Sequence, residues 1–197
     1  MNYVFKNKQD NWEALRLYTF KRYENGVYYR DAELETNKNI KLHLADIPLP
    51  NGILRIDQYA GSEVVAARLG HYALPNLTGT IKRSTRRVKE HDVQLIDNGT
   101  YQLAMVPLAG WERVAAVAAT GLNPVKATST VLNATATFDP AAPTPQVYAT
   151  LLLWKKSGAE WTDAELLPVR QLAPAPDGSV AVQLADGSTM LVRYTDY

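Results

Sequence analysis

The sequence predicts an all-β protein, an antiparallel β-sandwich of the immunoglobulin-like or jelly-roll-like kind, built as one sandwich or as two packed modules. Three observations predict this fold class. Apolar and polar residues alternate over much of the chain, which is the period of a strand with one buried face. Asn-Gly and Asp-Gly pairs separate several of these segments, as expected of tight hairpin turns. Residues 139–145 contain three prolines and mark a loop, because proline cannot donate to a strand ladder.

The first half of the chain contains several predicted strands. Residues 12–20 place apolar groups on both faces, which indicates one strand that is covered on two sides. The Asn25-Gly26 turn then precedes an aromatic strand, and a hairpin is predicted there. Residues 40–44 alternate cleanly, with three aliphatic side chains inward and His43 outward, and residues 53–59 form another strand.

The segment that follows differs from its neighbours. Residues 62–69 are predicted to form one short helix, with Ser62 as the N-cap and Gly70 as the residue that ends it. The pattern then returns to strands, and residues 97–100 (Asp-Asn-Gly-Thr) are a strong hairpin signal between two apolar segments.

The second half continues the β pattern. Residues 111–119 are rich in alanine, which favours a helix, but their neighbours are strands and we predict a strand. Residues 128–138 alternate as a strand with one polar face, and residues 147–154, the most apolar run, are predicted to form a central strand. Asp177-Gly178 and Asp186-Gly187 predict two further hairpins.

The composition shifts along the chain and suggests two substructures. The second half is poorer in charged residues and tyrosine and richer in Ala, Pro and Thr. We therefore expect a β-sandwich over residues 1–124, with residues 125–197 as its continuation or as a second small β module.

The composition also excludes several kinds of site. The chain has no cysteine, and its three histidines do not share a metal-ligand spacing, so we expect no metal site and no cofactor. The 21 Lys and Arg nearly balance the 20 Asp and Glu, so nucleic-acid binding is not expected. No apolar run is long enough for a signal peptide or a bilayer span, so no membrane association is expected. The compartment stays undetermined, either cytoplasmic or that of an exported protein of which this chain is a fragment.

Five basic residues cluster within residues 82–89, and Arg83, Arg86 and Arg87 are candidate contacts for a polysaccharide or an acidic partner. The guanidinium group suits this role because it binds carboxylates in a bidentate geometry. The alternative interpretation is a solvated loop or an edge strand that uses its charges to block edge-to-edge pairing.

Aromatic residues offer a second set of candidates. A flat ring can cover the apolar face of a sugar, and we select Trp161, Trp111 and Tyr28 as candidate carbohydrate or partner contacts. Trp161 lies in a polar, turn-like stretch and is expected to be the most exposed of the four tryptophans. The alternative is ordinary packing, since strands select aromatic residues.

No catalytic constellation is evident in the sequence. Asp57 and Glu63 could be proposed as an acid/base pair, but nothing in their spacing sets the separation that glycosidase chemistry needs. A buried pair of Arg55 with Asp57 is the more economical interpretation. We therefore expect no catalytic residues and no enzymatic activity from this chain on its own.

The order of features over residues 10–77 resembles the β-sandwich that flanks the catalytic barrel of clan A glycoside hydrolases, of the xylosidase/iduronidase type. The matching features are Leu15-Arg16-Leu17-Tyr18, the strand at residues 40–44, Ile47-Pro48-Leu49-Pro50, Arg55-Ile56-Asp57 and residues 69–75. Two departures are clear: Gln58-Tyr59-Ala60 replaces the His-Ser-Asn of that family, and the chain has no Asn-Glu dipeptide.

The resemblance implies a noncatalytic accessory region of a carbohydrate-active enzyme, which supports a catalytic barrel or contacts polysaccharide. Its implied partners are a polysaccharide or a chain that carries the barrel, and a homo-oligomer is also compatible. The alternative function is a stand-alone binding or structural protein, such as a polysaccharide- or protein-binding module or a phage or surface component.

Overall fold

The computed structural model describes residues 2–6, 12–14, 17–73, 81–119, 129–141 and 146–194. Over these residues the chain forms three antiparallel sheets and one short helix, which confirms the predicted all-β sandwich. The sheets contain eight, five and three strands.

The eight-stranded sheet is the central layer. In spatial order it consists of β3 (Leu17–Glu24), β4 (Val27–Leu34), β5 (Asn37–Leu49), β6 (Gly52–Tyr59), β13 (Val147–Lys156), β10 (Tyr101–Ala109), β9 (His91–Asp97) and β8 (Lys82–Val88). Its two edge strands are therefore β3 and β8.

The other two sheets are smaller. The five-stranded sheet has the order β11 (Arg113–Ala119), β12 (Ser129–Phe138), β7 (Val65–Ala73), β1 (Asn2–Lys6) and β2 (Trp12–Ala14). The three-stranded sheet has the order β14 (Val169–Pro174), β15 (Val180–Leu184) and β16 (Thr189–Val192). The helix α1 is Asp163–Leu166.

Two hydrophobic cores separate the layers. The first core joins the central sheet to the five-stranded sheet and contains, among others, Leu42, Leu44, Met105, Leu69 and Phe138. The second core joins the opposite face of the central sheet to the three-stranded sheet and α1, and contains, among others, Ala45, Ile47, Leu151, Val182 and Leu166. The central sheet is therefore covered on both faces, and burial of apolar side chains on both faces stabilises it.

Strand β5 shows how the sequence fits two cores. Leu42 and Leu44 enter the first core, whereas Ala45 and Ile47 enter the second, because successive side chains of a strand point to opposite faces. His43 lies opposite the leucines, as predicted, but its face is also covered: its ring stacks on Tyr194 with centroids 5.8 Å apart.

The predicted hairpins are confirmed. Asn25 and Gly26 both have positive φ between β3 and β4, as a tight turn of this kind requires. The turns at residues 97–100, 177–178 and 186–187 likewise connect paired strands. The strand predicted for residues 111–119 is confirmed as β11, and β13 lies between β6 and β10 in the middle of the central sheet, as predicted.

The helix predicted for residues 62–69 is wrong. Strand β7 begins at Val65 and pairs with β1 and β12, and its alternate residues Val65, Ala67 and Leu69 are buried in the first core. The pairing with two neighbours outweighs a weak local helix signal. The short helix lies instead at α1, where Thr162 and Glu165 form a capping box.

The single strand predicted for residues 12–20 is also wrong. The chain forms β2 in the five-stranded sheet and β3 in the central sheet, so it passes from one layer to another between Ala14 and Leu17.

The first half and the second half of the chain contribute strands to the same sheets: β12 pairs with β7, and β13 pairs with β6. Residues 142–145 of the predicted proline loop lie outside the described residues. Within the described ranges, the structure contains no helix that is both long and apolar enough to cross a bilayer.

Candidate functional site

Two neighbouring clefts open around the connection between β10 and β11. The first has a volume of about 500 Å³ and is lined by residues 90–92 and 107–114. The second has a volume of about 550 Å³ and is lined by Gly110, Glu112, Thr137 and residues 146–148 and 174–176. Both volumes fall within the range of small-molecule sites. Because Gly110 and Glu112 line both clefts, we treat the two as one groove, named here the Trp111 groove.

Gly110 determines the course of the chain at the centre of the groove. Its φ is +78°, a left-handed backbone conformation that residues other than glycine rarely adopt. A Cβ atom at this position would also lie 2.5 Å from the Val147 carbonyl oxygen. Glycine is therefore required here on two grounds, and it directs the following residue, Trp111, across the sheet.

Trp111 is held firmly on the central sheet. Its indole Nε1 donates a hydrogen bond to Thr150 Oγ1 at 2.8 Å, and its ring lies 5.2 Å from the ring of Tyr148. The side chain is half-buried, packs against the first core and lines the first cleft. It therefore offers part of a fixed aromatic surface to the groove.

Polar groups flank Trp111. The Glu112 carboxylate accepts a hydrogen bond from the Thr137 backbone N–H at 2.8 Å, which fixes it between the two clefts. Arg113 is exposed and lines the first cleft.

The opposite wall of the first cleft is formed by the turn from β8 to β9. His91 Nε2 lies 3.2 Å from a carboxylate oxygen of Glu90, and Arg87 Nη1 bonds Asp92 Oδ1 at 2.8 Å. A hydrogen bond from the backbone of Glu90 itself and the charge of His91 lower the pKa of the Glu90 carboxyl. This wall is charged, but its charges are largely matched in pairs.

Tyr148 is buried and lines the second cleft of the groove. Burial is the main cause that raises the pKa of its phenol, and nearby acidic groups raise it further. The hydroxyl donates to the Gln146 Oε1 atom at 3.0 Å and lies 3.3 Å from the Thr137 carbonyl oxygen. Within the described residues no group of three or more His, Asp or Glu side chains could hold a metal ion. The arrangement is suited to binding a ring by stacking and hydrogen bonding.

The site residues predicted from the sequence lie in three separate places. Of these residues, only Trp111 and Arg87 are near the groove. Trp111 lies in it, and Arg87 reaches its wall through Asp92. Arg83 and Arg87 are four residues apart in β8, so their side chains project from the same face of the strand. The basic cluster as a whole is an exposed edge strand, as the alternative interpretation expected.

Arg86 and Trp161 lie together on the opposite face of the central sheet. Arg86 donates to the Trp161 carbonyl oxygen at 2.5 Å and to Asp163 Oδ1 at 2.6 Å. Trp161 is only 7% exposed, so the expectation that it would be the most exposed tryptophan is wrong. It packs in the second core with Leu166, and the Lys155 ammonium group covers its ring at 4.4 Å. Trp154, at 38%, is the most exposed tryptophan whose side chain the structure describes.

Tyr28 lies on the same face as Trp111 but near the other edge of the central sheet. The pairing registers place Tyr28, Asp46, Arg55, Thr150 and Pro107 in one row across five strands. Four interstrand steps of about 4.8 Å separate Tyr28 from Pro107 by roughly 19 Å. Thus Tyr28 and the groove are two separate places on one face.

Sequence reasoning missed His91 and Arg113 as members of the groove. The signal that could have found Arg113 is local, because it follows Trp111 by only two residues and begins strand β11. No local signal could have found His91, which is brought to the groove by the pairing of β9 with β10.

Comparison with known proteins finds similarity at the level of the fold. No protein-family model matches the sequence, and a search of curated proteins finds no match. Among solved structures, heparinase III matches with a TM-score of 0.57 and 14% identity over 96% of this chain. A second heparinase III structure matches with a TM-score of 0.55 and 13% identity over 92% of this chain. Heparan sulfate lyase HepC from Pedobacter heparinus matches with a TM-score of 0.53 and 9% identity over 90% of this chain.

These matches concern only part of each known protein. This chain spans 28% of the heparinase III chains and 27% of the HepC chain. The similarity is therefore one of fold, to a little over a quarter of each of these enzymes. The enzymes in question are a heparinase and a heparan sulfate lyase, not the clan A glycoside hydrolases predicted from residues 10–77.

Proposed function

We propose that this chain is a noncatalytic accessory β-sandwich region of a polysaccharide-active enzyme, and that it contacts polysaccharide through the Trp111 groove. The observation that carries the proposal is the fold, which over nine-tenths of this chain is similar to about a quarter of heparinase III and of heparan sulfate lyase HepC. An accessory role is consistent with that share, because the similarity covers only 27–28% of each of those enzymes.

The groove supplies a physical basis for sugar binding. The Trp111 ring is fixed by its bond to Thr150 and offers an apolar platform, so little side-chain entropy is lost when a sugar stacks on it. Glu112, Arg113 and His91 surround the platform with hydrogen-bonding groups suited to sugar hydroxyls. A platform with a polar rim is the usual design of such sites.

The enzyme class and the partners are part of the proposal. The fold similarity favours a polysaccharide lyase as the associated enzyme over the glycoside hydrolase that the sequence resemblance implied. We propose that the partner protein is the catalytic portion of that enzyme, on the same or another chain. The alternative, a stand-alone binding or assembly protein, predicts persistent large assemblies of the purified chain in light scattering.

Affinity gel electrophoresis tests the proposal. The purified chain is run through gels that contain xylan, a soluble β-glucan, galactomannan or heparan sulfate. We expect retardation by at least one of them, and reduced retardation for Trp111→Phe and Arg113→Ala. Trp154→Ala is the matched control, since that indole is exposed on the same sheet face but lies outside the groove.

Two results contradict the proposal. The first is no retardation by any polymer, or unchanged retardation of the groove variants when thermal unfolding shows that they are folded. The second is the release of new reducing ends or of unsaturated sugar products by the purified chain, since either would demonstrate catalysis.

A further inference from the structure

Four exposed aromatic side chains lie on the hairpin of β3 and β4. They are Tyr18, Phe20, Tyr23 and Tyr28, which are 37%, 59%, 58% and 43% exposed. Here they are named the hairpin aromatic surface. Large aromatic groups are normally among the more buried residues of a domain, so four on one hairpin require an explanation.

A β-bulge places all four on one face. Tyr18 pairs with Ala32, Phe20 with Arg30 and Tyr23 with Tyr28. These three partners are every second residue of β4, so they lie on the same face of the sheet. Strict alternation along β3 would put Tyr23 on the face opposite Phe20. The register shift between Phe20 and Arg22 inserts Lys21 as an extra residue and returns Tyr23 to the face of Phe20.

The rings of the surface contact one another and a polar network on the same sheet face. The Tyr23 and Tyr28 rings are in contact, with centroids 4.5 Å apart and planes tilted by 37°. The Arg30 guanidinium lies 5.9 Å from the Tyr18 ring and is itself bound by Asp46. Asp46 also receives hydrogen bonds at 2.7 and 3.0 Å from Arg55, which is buried. A connected polar network therefore lies beside the rings on the same sheet face.

The charges around the surface are matched. On the aromatic face Arg30 pairs with Asp46, and the other two cations of the hairpin pair with carboxylates of the opposite face: Lys21 with Asp31 at 3.1 Å and Arg22 with Glu24 at 3.1 Å. Each cation of the hairpin thus has a carboxylate beside it, and the surface carries little net field. A ligand held here is selected by its apolar faces and not by its charge.

The size of the surface identifies the kind of occupant. At about 200 Å² per aromatic side chain, the observed exposures leave about 400 Å² of aromatic surface in water. A stable protein partner or a second copy of the chain needs about 800 Å² on each side. A few stacked sugar rings need much less.

We propose that the hairpin aromatic surface is a second binding site, distinct from the Trp111 groove, and that it binds uncharged polysaccharide by ring stacking. The bulge aligns the rings, the Arg30–Asp46–Arg55 network holds Arg30 beside the Tyr18 ring, and the matched charges make the site indifferent to sulfate or carboxylate groups on the ligand. Binding here does not depend on the Trp111 groove.

Isothermal titration tests the site with xylan, a soluble β-glucan and galactomannan, at 50 and 500 mM NaCl. We expect at least one of these polymers to bind and its affinity to change by less than about twofold with salt. Tyr23→Ala/Tyr28→Ala is expected to lower that affinity by about tenfold. Phe20→Ala is expected to lower it by less, and Tyr101→Ala, an exposed tyrosine on β10, is the matched control with no loss.

Trp111→Phe separates this proposal from the proposed function, because it is expected to leave the hairpin component of binding unchanged. The proposal is overturned if no neutral polymer binds, or if Tyr23→Ala/Tyr28→Ala binds as the wild type does. It is also overturned if light scattering shows that the wild type self-associates and that the same double variant abolishes self-association, since the surface would then be a contact between copies.

Discussion

The two edges of the central sheet are built differently. Strand β8 presents three arginines and one lysine, whereas β3 presents aromatic rings. On β8, Arg86 and Arg87 are bound by Asp163 and Asp92, so these cations are used within the molecule. Charged side chains are a common protection of an edge strand against pairing with another chain.

Edge β3 uses another protection, and its aromatic rings are exposed. The bulge at Lys21 interrupts the regular ladder that a foreign strand would need, and it turns Tyr23 to the aromatic face. The comparison teaches that the cluster which is most conspicuous in the sequence is the less available one. The rings, which are ordinary strand residues in the sequence, form a surface that is exposed to solvent.

The largest effect is expected at Asp46, the partly buried carboxylate beside the hairpin aromatic surface. Asp46→Asn leaves Arg30 and Arg55 without their shared negative charge, so the free energy of unfolding should fall by about 3 kcal/mol. Asp92→Asn removes an exposed partner of Arg87 on the other edge and should cost about 0.5 kcal/mol or less. Urea unfolding measures both. Equal losses for the two variants would refute the difference between the edges.

The contribution of Asp46 to stability should depend on pH, which gives a second test of its role. Burial alone would raise the pKa of Asp46, but the hydrogen bonds and charges of Arg55 and Arg30 outweigh it and lower that pKa below its ordinary value of 3.8. Because the folded pKa is lowered, the stabilisation is complete above the unfolded pKa and is lost as pH falls through the folded one.

The free energy of unfolding of the wild type should therefore decline towards that of Asp46→Asn as the pH falls below about 4. Urea titrations between pH 7 and pH 2.5 measure the gap between the two proteins. A gap that stays constant over this range would show that the Asp46 carboxyl does not contribute in its charged form.

A smaller effect distinguishes the two arginines of β8. Arg86→Ala removes bonds to the Trp161 carbonyl and to Asp163 and should lower the free energy of unfolding by about 1 kcal/mol. Arg87→Ala removes only exposed contacts and should change it by about 0.5 kcal/mol or less. Chemical denaturation of the two variants in parallel measures the difference, and a larger loss for Arg87→Ala would contradict the assigned roles.

Much of the fold could be predicted because its signals are local. The Asn25-Gly26 turn and the two Asp-Gly turns require positive φ, and residues 147–154 are apolar enough to indicate a central strand. The helix predicted over residues 62–69 is wrong because this segment pairs with β1 and β12 and so forms a strand, β7. The exposure predicted for Trp161 is wrong because the side chains that contact this residue, Lys155 and Arg86, belong to strands distant from each other in sequence.

The candidate sites could be predicted only in part, for the same reason. Trp111 and Tyr28 could be selected as aromatic residues in strands, but their neighbours could not. His91 reaches the groove through strand pairing, and the face of Tyr23 depends on a bulge at Lys21 that has no signature in the alternation. Register is set by long-range pairing, which a local pattern does not contain.

The central claim is that polysaccharide contacts the aromatic groups on one face of the central sheet and not the cations of β8. An NMR titration of the labelled chain with a polysaccharide that binds tests it most directly, because each tryptophan gives its own indole N–H signal. The account predicts shifts of the Trp111 indole or of the Tyr23 and Tyr28 amides, with the Trp161 indole and the β8 amides unmoved. Shifts concentrated in Lys82–Val88, with Trp111 and the hairpin unmoved, would contradict it.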